Sequence, residues 1–169
     1  MKKNNLRAWT LFVNGAQRLE GAHEYTPPEL AITKVEVRSG GMDMSVPMDT
    51  GMEPMVCTFK IYGVDTDALA LFGMQVGGKS PRITAYEGYQ YTGGSYGKID
   101  EMEGMITKIT ADARPNTNMS EASVTLEMSL NYYRSSVDGR ELFEIIPEQF
   151  VRRVNGVDVL AGLRSKVRL

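Results

Sequence analysis

Reactive side chains are scarce in this chain of 169 residues, which has one histidine, His23, and one cysteine, Cys57. A lone cysteine excludes an internal disulfide, so stability must come from packing or from assembly. One His and one Cys cannot build a zinc site from the usual nitrogen and sulfur ligands of a single chain. No Walker-type phosphate loop is present. Charge of one sign is lacking too. The net charge is −2, whereas a nucleic-acid binder usually carries a basic face or a pI above about 9. Long apolar runs are also missing. The start, Met1-Lys2-Lys3-Asn4-Asn5, imitates the charged region of a signal peptide, but the apolar run after it covers only 8–13 and stops at Asn14-Gly15. A secretory core needs roughly 7–15 residues, and a membrane span about 18. These absences predict a soluble, cytoplasmic protein with no membrane anchor, no metal, no cofactor and no catalytic residue.

Two features imitate chemistry. Gly93-Gly94-Ser95-Tyr96-Gly97 matches the G-x-S-x-G nucleophile elbow, which requires a strand, a sharp turn and a helix. Here Lys98-Ile99-Asp100 leads into an alternating strand, and His23 precedes the serine. A glycine-rich hairpin turn is the better reading. The carboxylates Asp100, Glu101 and Glu103 read as a solvated strand end. Cys57 alternates onto an apolar face with Phe59 and Ile61, as an inert buried thiol does. His23 lies in a polar stretch before Pro27 and reads as a solvated loop residue.

What is present is mostly strand-like. Residues 8–13, 30–38 and 56–62 alternate or run apolar at a period of two. The 82–92 stretch is β-like and carries Tyr86, Tyr89 and Tyr91. Long β-prone stretches follow at 96–113 and 121–134, where Val124, Leu126, Met128 and Leu130 alternate with Ser123, Thr125, Glu127, Ser129 and Asn131. A short helix is expected over 66–72, capped by Asp65, with Ala68, Leu69, Leu71 and Phe72 buried. Asn14-Gly15, Asp138-Gly139 and Asn155-Gly156 are turn signals. A C-terminal helical segment follows from Asp158, a potential cap, to about Lys166, with Leu160, Leu163 and Val167 at helical spacing. The fold class is mainly β, in a single domain over 1–169. Burial of Val35, Val37, Phe59, Ile61, Leu126, Met128 and Leu130 would place Lys34, Glu36, Lys60, Thr125, Glu127, Ser129 and Asn131 on the opposite face.

Residues 39–55 are read as a loop rich in glycine and methionine. Gly40, Gly41 and Gly51 permit unusual backbone angles. Met42, Met44, Met48, Met52 and Met55 are soft, adaptable apolar contacts. With Asp43 and Asp49, the 40–52 residues are expected to contact neighbouring subunits.

Several blocks carry a family resemblance. They are Leu11-Phe12-Val13-Asn14-Gly15, Pro28-Glu29-Leu30-Ala31, Arg38-Ser39-Gly40-Gly41-Met42-Asp43 and Asp49-Thr50-Gly51-Met52. Further on come Tyr132-Tyr133, Asp138-Gly139-Arg140-Glu141-Leu142 with Glu144-Ile145, and Val154-Asn155-Gly156-Val157-Asp158-Val159-Leu160. In order and spacing the chain resembles the major tail tube protein of contractile-tailed phages, the family that also supplies the tubes of R-type tailocins. It departs from that pattern at Pro28-Glu29 and over 76–118.

The resemblance implies an antiparallel β-sandwich or partial barrel with a short flanking helix and a C-terminal helical segment. It also implies hexameric rings that share an inner β-barrel and stack into a hollow tube. The partners so implied are further copies of the chain, a contractile sheath protein, baseplate and tail terminator proteins, and a tape measure protein or DNA in the lumen. The location implied is the virion tail or tailocin particle, after assembly in the bacterial cytoplasm. On this reading the polar face from Lys34 to Asn131 lines the lumen. The competing readings are a type VI secretion-like tube protein and a monomeric β-barrel binding module whose pocket would use Tyr86, Tyr89, Tyr91 and Tyr96.

Overall fold

The computed structural model describes residues 4–73 and 79–169. The charged start at 1–3 and the beginning of the departing stretch, at Val76, lie outside the described residues. The first half contributes β1 (Asn5–Val13), β2 (Gln17–Arg18), β3 (Ala22–Thr26), β4 (Ile32–Val37), β5 (Val46–Met52), β6 (Val56–Tyr62) and helix α1 (Thr66–Leu69). The second half contributes β7 (Arg82–Tyr91), β8 (Gly94–Ala111), β9 (Ser123–Val137), β10 (Arg140–Ile146), β11 (Val151–Val154), β12 (Val157–Asp158) and helix α2 (Ala161–Val167).

Ten strands form one antiparallel sheet in the order β12-β11-β10-β9-β8-β7-β1-β2, with β6 joined to β9 and β3 joined to β6. β9 organises it. Its first half pairs with β6 and its end with β10, while β8 runs along its other edge. The sheet then curls back on itself. Leu19 N donates to Leu11 O at 2.9 Å, and Tyr62 N donates to Gly21 O at 2.8 Å, so the β2–β3 link ties the β6 side to β1. The result is a partial barrel.

The alternating apolar residues fill it. Leu11, Phe59, Ile61, Ile83, Ile106 and Leu126 are almost wholly excluded from solvent. Burial of each such side chain contributes about 1.5–3 kcal/mol. The expected inward positions of β6 and β9 (Phe59, Ile61, Leu126 and Met128) are all in this core, and Leu130 packs against it half-buried.

One glycine fixes where β8 crosses β9. A Cβ on Gly104 would lie 2.0 Å from the Ser129 carbonyl oxygen and 2.8 Å from Leu130 Cα. The ladder slips here, pairing Glu103 with Tyr132 and Gly104 with Leu130, so Asn131 is left over as a bulge residue. Such a bulge bends a strand and re-aims its side chains. The inward positions accordingly pass from Val124, Leu126 and Met128 to Tyr133 and Ser135. The strict alternation of the sequence therefore ends at Asn131, and the strand itself continues to Val137.

Several expectations are corrected by the packing. The α1 helix ends at Leu69, not at Phe72. Asp65 does cap it, its Oδ1 accepting from Asp67 N and Ala68 N, both at 3.1 Å. Ala68 and Leu71 are buried, but Phe72 is exposed, because the chain leaves the helix to form a bridge with Ile106. Asp100 is not a solvated strand-end carboxylate. Alternation in β8 turns it fully inward, 3.0 Å from Lys98 Nζ and 3.3 Å from the Tyr133 hydroxyl. Glu101 and Glu103 face outward and pair with Arg134 and Arg82.

The turn signals have the geometry their residues favour. Asn14 and Gly15 (φ 51° and 77°), Asp138 and Gly139 (48° and 80°), and Asn155 and Gly156 (52° and 80°) all have positive φ. That combination gives type I′ hairpin turns. Asn14 Oδ1 also accepts from Arg82 N, and Asp138 Oδ1 from Gly97 N, which staples each turn to a neighbouring strand.

Candidate functional site: the exposed hairpin and its root

β4 and β5 stand apart. Among the described residues they pair only with each other, as a two-stranded sheet outside the barrel. The expected loop over 39–55 is therefore partly a strand, and only 38–45 forms the connecting tip. Composition hid this, because Pro47 and Gly51 are poor strand residues. An edge position tolerates Pro, and the ladder slips beside Gly51 (φ 136°), between Thr33 and Lys34.

The cross-strand partners Val35–Met48 and Val37–Val46 place four apolar side chains on one face. The other face carries the pairs Lys34–Asp49 and Glu36–Pro47. Val35 and Val37, expected in the core, are 49% and 41% exposed. Val46 and Met48 are 45% and 55% exposed. The cause is topological: among the described residues β4 and β5 pair with no further strand. A two-stranded hairpin with nothing packed on it is marginal in water. At the tip, Met42 N donates to Ser39 O at 3.0 Å and Arg38 Nε to Met42 O at 3.2 Å, which compacts the glycine-rich turn. Met44 is exposed there.

The root of the hairpin is anchored. Asp49 accepts from Gly51 N at 2.8 Å and pairs with Arg152 of β11. These two interactions, the backbone bond first, hold its carboxyl below the usual carboxylate range. The Arg152 side chain is itself largely buried. Thr50 Oγ1 donates to Thr33 O at 2.9 Å. Met52 packs half-buried against the barrel core, and Met55 is buried within it.

Behind this root lies an apolar groove of about 650 Å³. Met52, Pro54, Leu130, Ile145, Phe150 and Leu163 are among its walls. α2 forms its rim. Asp158 is not the N-cap of α2, a position held by Leu160. Its Oδ1 accepts from Leu160 N at 3.1 Å, and its Oδ2 pairs with Arg164 at 2.7 Å. Burial opposes the charge of Asp158, but these partners outweigh it and keep its carboxyl low. Leu160 lines the groove half-buried, whereas Leu163 at its wall and Val167 beyond it are 59% and 60% exposed.

The polar-face residues fall in three places. Lys60 and Thr125 are cross-strand partners, Thr58 faces Glu127, and Val56 faces Ser129, so Lys60, Thr125, Glu127 and Ser129 share the outer face of the barrel. Lys34 and Glu36 are on the detached hairpin, 3.5 Å from one another. Asn131 is the bulge residue and its Oδ1 is shielded from solvent. The same outer face continues into paired charges that sequence reading missed. Arg134 reaches Glu101, Glu141 and Glu144, and Arg153 also pairs with Glu144. Cross-strand spacing alone would have found the Glu101–Arg134 pair once the register was known.

Nothing here resembles a reaction centre. Ser95 lies within a strand–turn–strand hairpin, paired with Gln90. Burial pushes the Cys57 thiol up to about 12, which suppresses the reactive thiolate. His23 stacks on Tyr62 at 3.7 Å. Among the described residues no group of three or more His, Cys, Asp or Glu could hold a metal ion. No helix among them is long and apolar enough to cross a membrane. Of the four tyrosines, Tyr89 stacks on Tyr96 at 5.0 Å and Tyr91 lies 6.3 Å from Tyr96, while Tyr86 lies on the opposite face against Phe12.

The barrel with its exposed apolar arm can be set beside known proteins. The model of the phage tail tube protein FII family matches residues 3–167. The chain belongs to that family. It is also 28% identical over 180 aligned positions to the tail tube protein of Escherichia phage P2, an alignment covering 97% of this chain and 96% of that one. The chain is thus a structural component of a phage tail and not an enzyme. Its fold, mainly antiparallel β with a short helix and a C-terminal helix, is the one the family resemblance implied.

Proposed function

We propose that this tail tube subunit assembles as hexameric rings that share an inner β-barrel and stack into the hollow conduit inside a contractile sheath. The observation that carries this reading is the β4–β5 hairpin, whose apolar face is left exposed by the described residues. Exposed apolar strips of this kind mark interaction surfaces. Free strand edges add to the argument, since closing a sheet through neighbours removes unpaired backbone groups. A head-to-tail contact makes a ring when its rotation closes. The 40–52 residues, from Gly40 to Met52, then carry the inter-subunit and inter-ring contacts.

The outer barrel face with Lys60, Thr125, Glu127 and Ser129 is the proposed lumen wall. It mixes both signs with small hydroxyls. A strongly basic wall would hold DNA phosphates by counterion release, whereas a mixed wall lets a polyanion or a tape measure protein slide. The sheath protein surrounds the tube, baseplate and terminator proteins close its ends, and assembly takes place in the bacterial cytoplasm before the tail is complete.

Electron microscopy of concentrated purified protein tests the assembly: rings or tubes with a continuous lumen are expected. A species that stays monomeric across a wide concentration range, without rings, refutes it. The lumen wall is tested with Ser129→Cys in a Cys57→Ala background. In long tubes a small thiol reagent should label it and a reagent wider than the channel should not. Equal labelling by both places that face outside.

A further inference from the structure

The arm and the C-terminal helix meet on one short strand, β11. Its Arg152 carries a largely buried guanidinium that pairs with Asp49 at the arm root. The same strand is also held by α2. Arg164 Nη1 donates to the Phe150 carbonyl at 3.1 Å, one residue before β11 begins. It lies 2.7 Å from Asp158 Oδ2 at the end of β12. The residue after Asp158 closes the path, since Val159 N donates to Arg152 O at 3.0 Å. We propose that Arg164 is a positioning residue for the β4–β5 arm and acts on it through β11. The proposal goes beyond the tube reading, because it concerns how a free subunit sets the direction of its own arm.

Phe150 supplies an element with two settings. Its φ of 55° and ψ of 44° are left-handed, a genuine outlier for a bulky residue. Such a backbone persists only where its surroundings over-determine it. Here the ties are Phe150 N donating to Pro147 O at 3.1 Å and Arg164 on the Phe150 carbonyl. Without Arg164 that carbonyl is free to rotate, and Phe150 can return to an ordinary basin. The rotation turns the strand that begins at the next residue. Coupling between distant sites needs such an element, one whose balance both sites bias.

The two ends of the relay are matched to it. α2 has seven residues, none of them buried, and a helix so short does not stand by itself. Among the described residues, Arg164 makes the side-chain hydrogen bond and ion pair that tie α2 to earlier segments. Its planar fork can serve both acceptors at once. At the other end the Arg152 side chain is 11% exposed, and parting a buried charge from its partner is costly. Arg152 therefore keeps Asp49 as β11 turns, and the arm root turns with it. Asp49 passes the movement into β5 through Gly51 N at 2.8 Å. The coupling is reciprocal: loosening α2 frees the arm root, and loosening the anchor frees α2.

The test is native-state hydrogen exchange on the unassembled subunit, corrected for intrinsic rates. It compares wild type, Arg164→Met, Asp49→Asn and the double variant. Methionine keeps the bulk of the stem and removes the donors. Arg164→Met should speed exchange of the 46–52 amides at least threefold, although the bonds it removes are to Phe150 and Asp158. Asp49→Asn should in return speed exchange over 160–168 at least threefold. In the double variant, 46–52 should exchange no faster than in Asp49→Asn alone, because the relay is already cut. A smaller change at 46–52 in Arg164→Met overturns the proposal. An equal rise in β8 and β9 does so too, since it reports global loosening. Effects of the two substitutions that multiply would make α2 and the anchor independent and overturn it as well. If Arg164→Met does not fold, Asp49→Asn decides alone, and unchanged exchange over 160–168 refutes the relay. None of these outcomes depends on whether the protein forms tubes.

Discussion

Methionine and valine meet opposite fates in the barrel and in the arm. Met102 and Met128 are fully buried, whereas Met44 and Met48 are 71% and 55% exposed. Val124 on β9 is buried; Val35 on β4, in an equally regular alternation, is not. Alternation states which side of a strand is apolar. Whether anything covers that side depends on the strand's neighbours. β9 has β8 on one edge and β6 and β10 on the other, within a sheet that curls over its own core. β4 has only β5. The barrel stores stability, and the arm stores unsatisfied contact surface.

The largest effect should come from breaking the barrel where it has no slack. Gly104→Val would force a side chain into the Ser129 carbonyl. It should cost about 3 kcal/mol or more, at the upper end of overpacking penalties, read as a lower denaturation midpoint. A loss under about 1 kcal/mol would mean that β8 and β9 can separate there at little cost. Leu126→Ala, a core truncation, should cost about 2–5 kcal/mol by the same measurement.

Gly156→Val tests a turn at the end of the sheet. Its φ of 80° is strained for a residue with a Cβ, and valine is worse than most. A loss of about 1–2 kcal/mol is expected, with reduced tube yield. Unchanged stability and yield would show that the β11–β12 turn tolerates another conformation.

The arm should behave the other way round. Val35→Ser with Met48→Ser should change subunit stability by less than about 0.5 kcal/mol per site, because neither residue touches the core. Tube yield should nevertheless fall at least tenfold. A large loss of subunit stability would place the arm in the barrel's cooperative unit and erase the comparison. In the unassembled subunit, amides of β4 and β5 should exchange with far less protection than those of β8 and β9.

The smallest effect concerns the arm's anchor. The native carboxyl of Asp49 is depressed, so its contribution is fully present above the unfolded value of about 3.9 and is lost as pH falls from there through the lower native value. Hydrogen exchange at 46–52, corrected for intrinsic rate, should rise below about pH 4. Asp49→Asn should raise it already at neutral pH and flatten the pH dependence. Equal pH dependence in both proteins would assign the anchoring to another group.

Much of this protein is determined locally and could be read from its residues. Period-two alternation drew β6 and the first half of β9, because a one-sided strand must segregate its side chains. Asn-Gly and Asp-Gly pairs marked the hairpin turns, because only residues that tolerate positive φ can occupy them. Ordered blocks from Leu11 to Leu160 carried the family resemblance. Only the tertiary structure decided the rest. Val35 and Val37 belong to the arm because no third strand pairs with β4. Asp100 lies inside because β8 keeps its phase up to the Gly104 bulge. Asn131 ends the alternation because β9 must bend where β8 crosses it. The wall of the groove brings Arg152 of β11 to Asp49, 103 residues away in sequence. Contacts of that range depend on how the sheet closes, and no local pattern of residues encodes that closure.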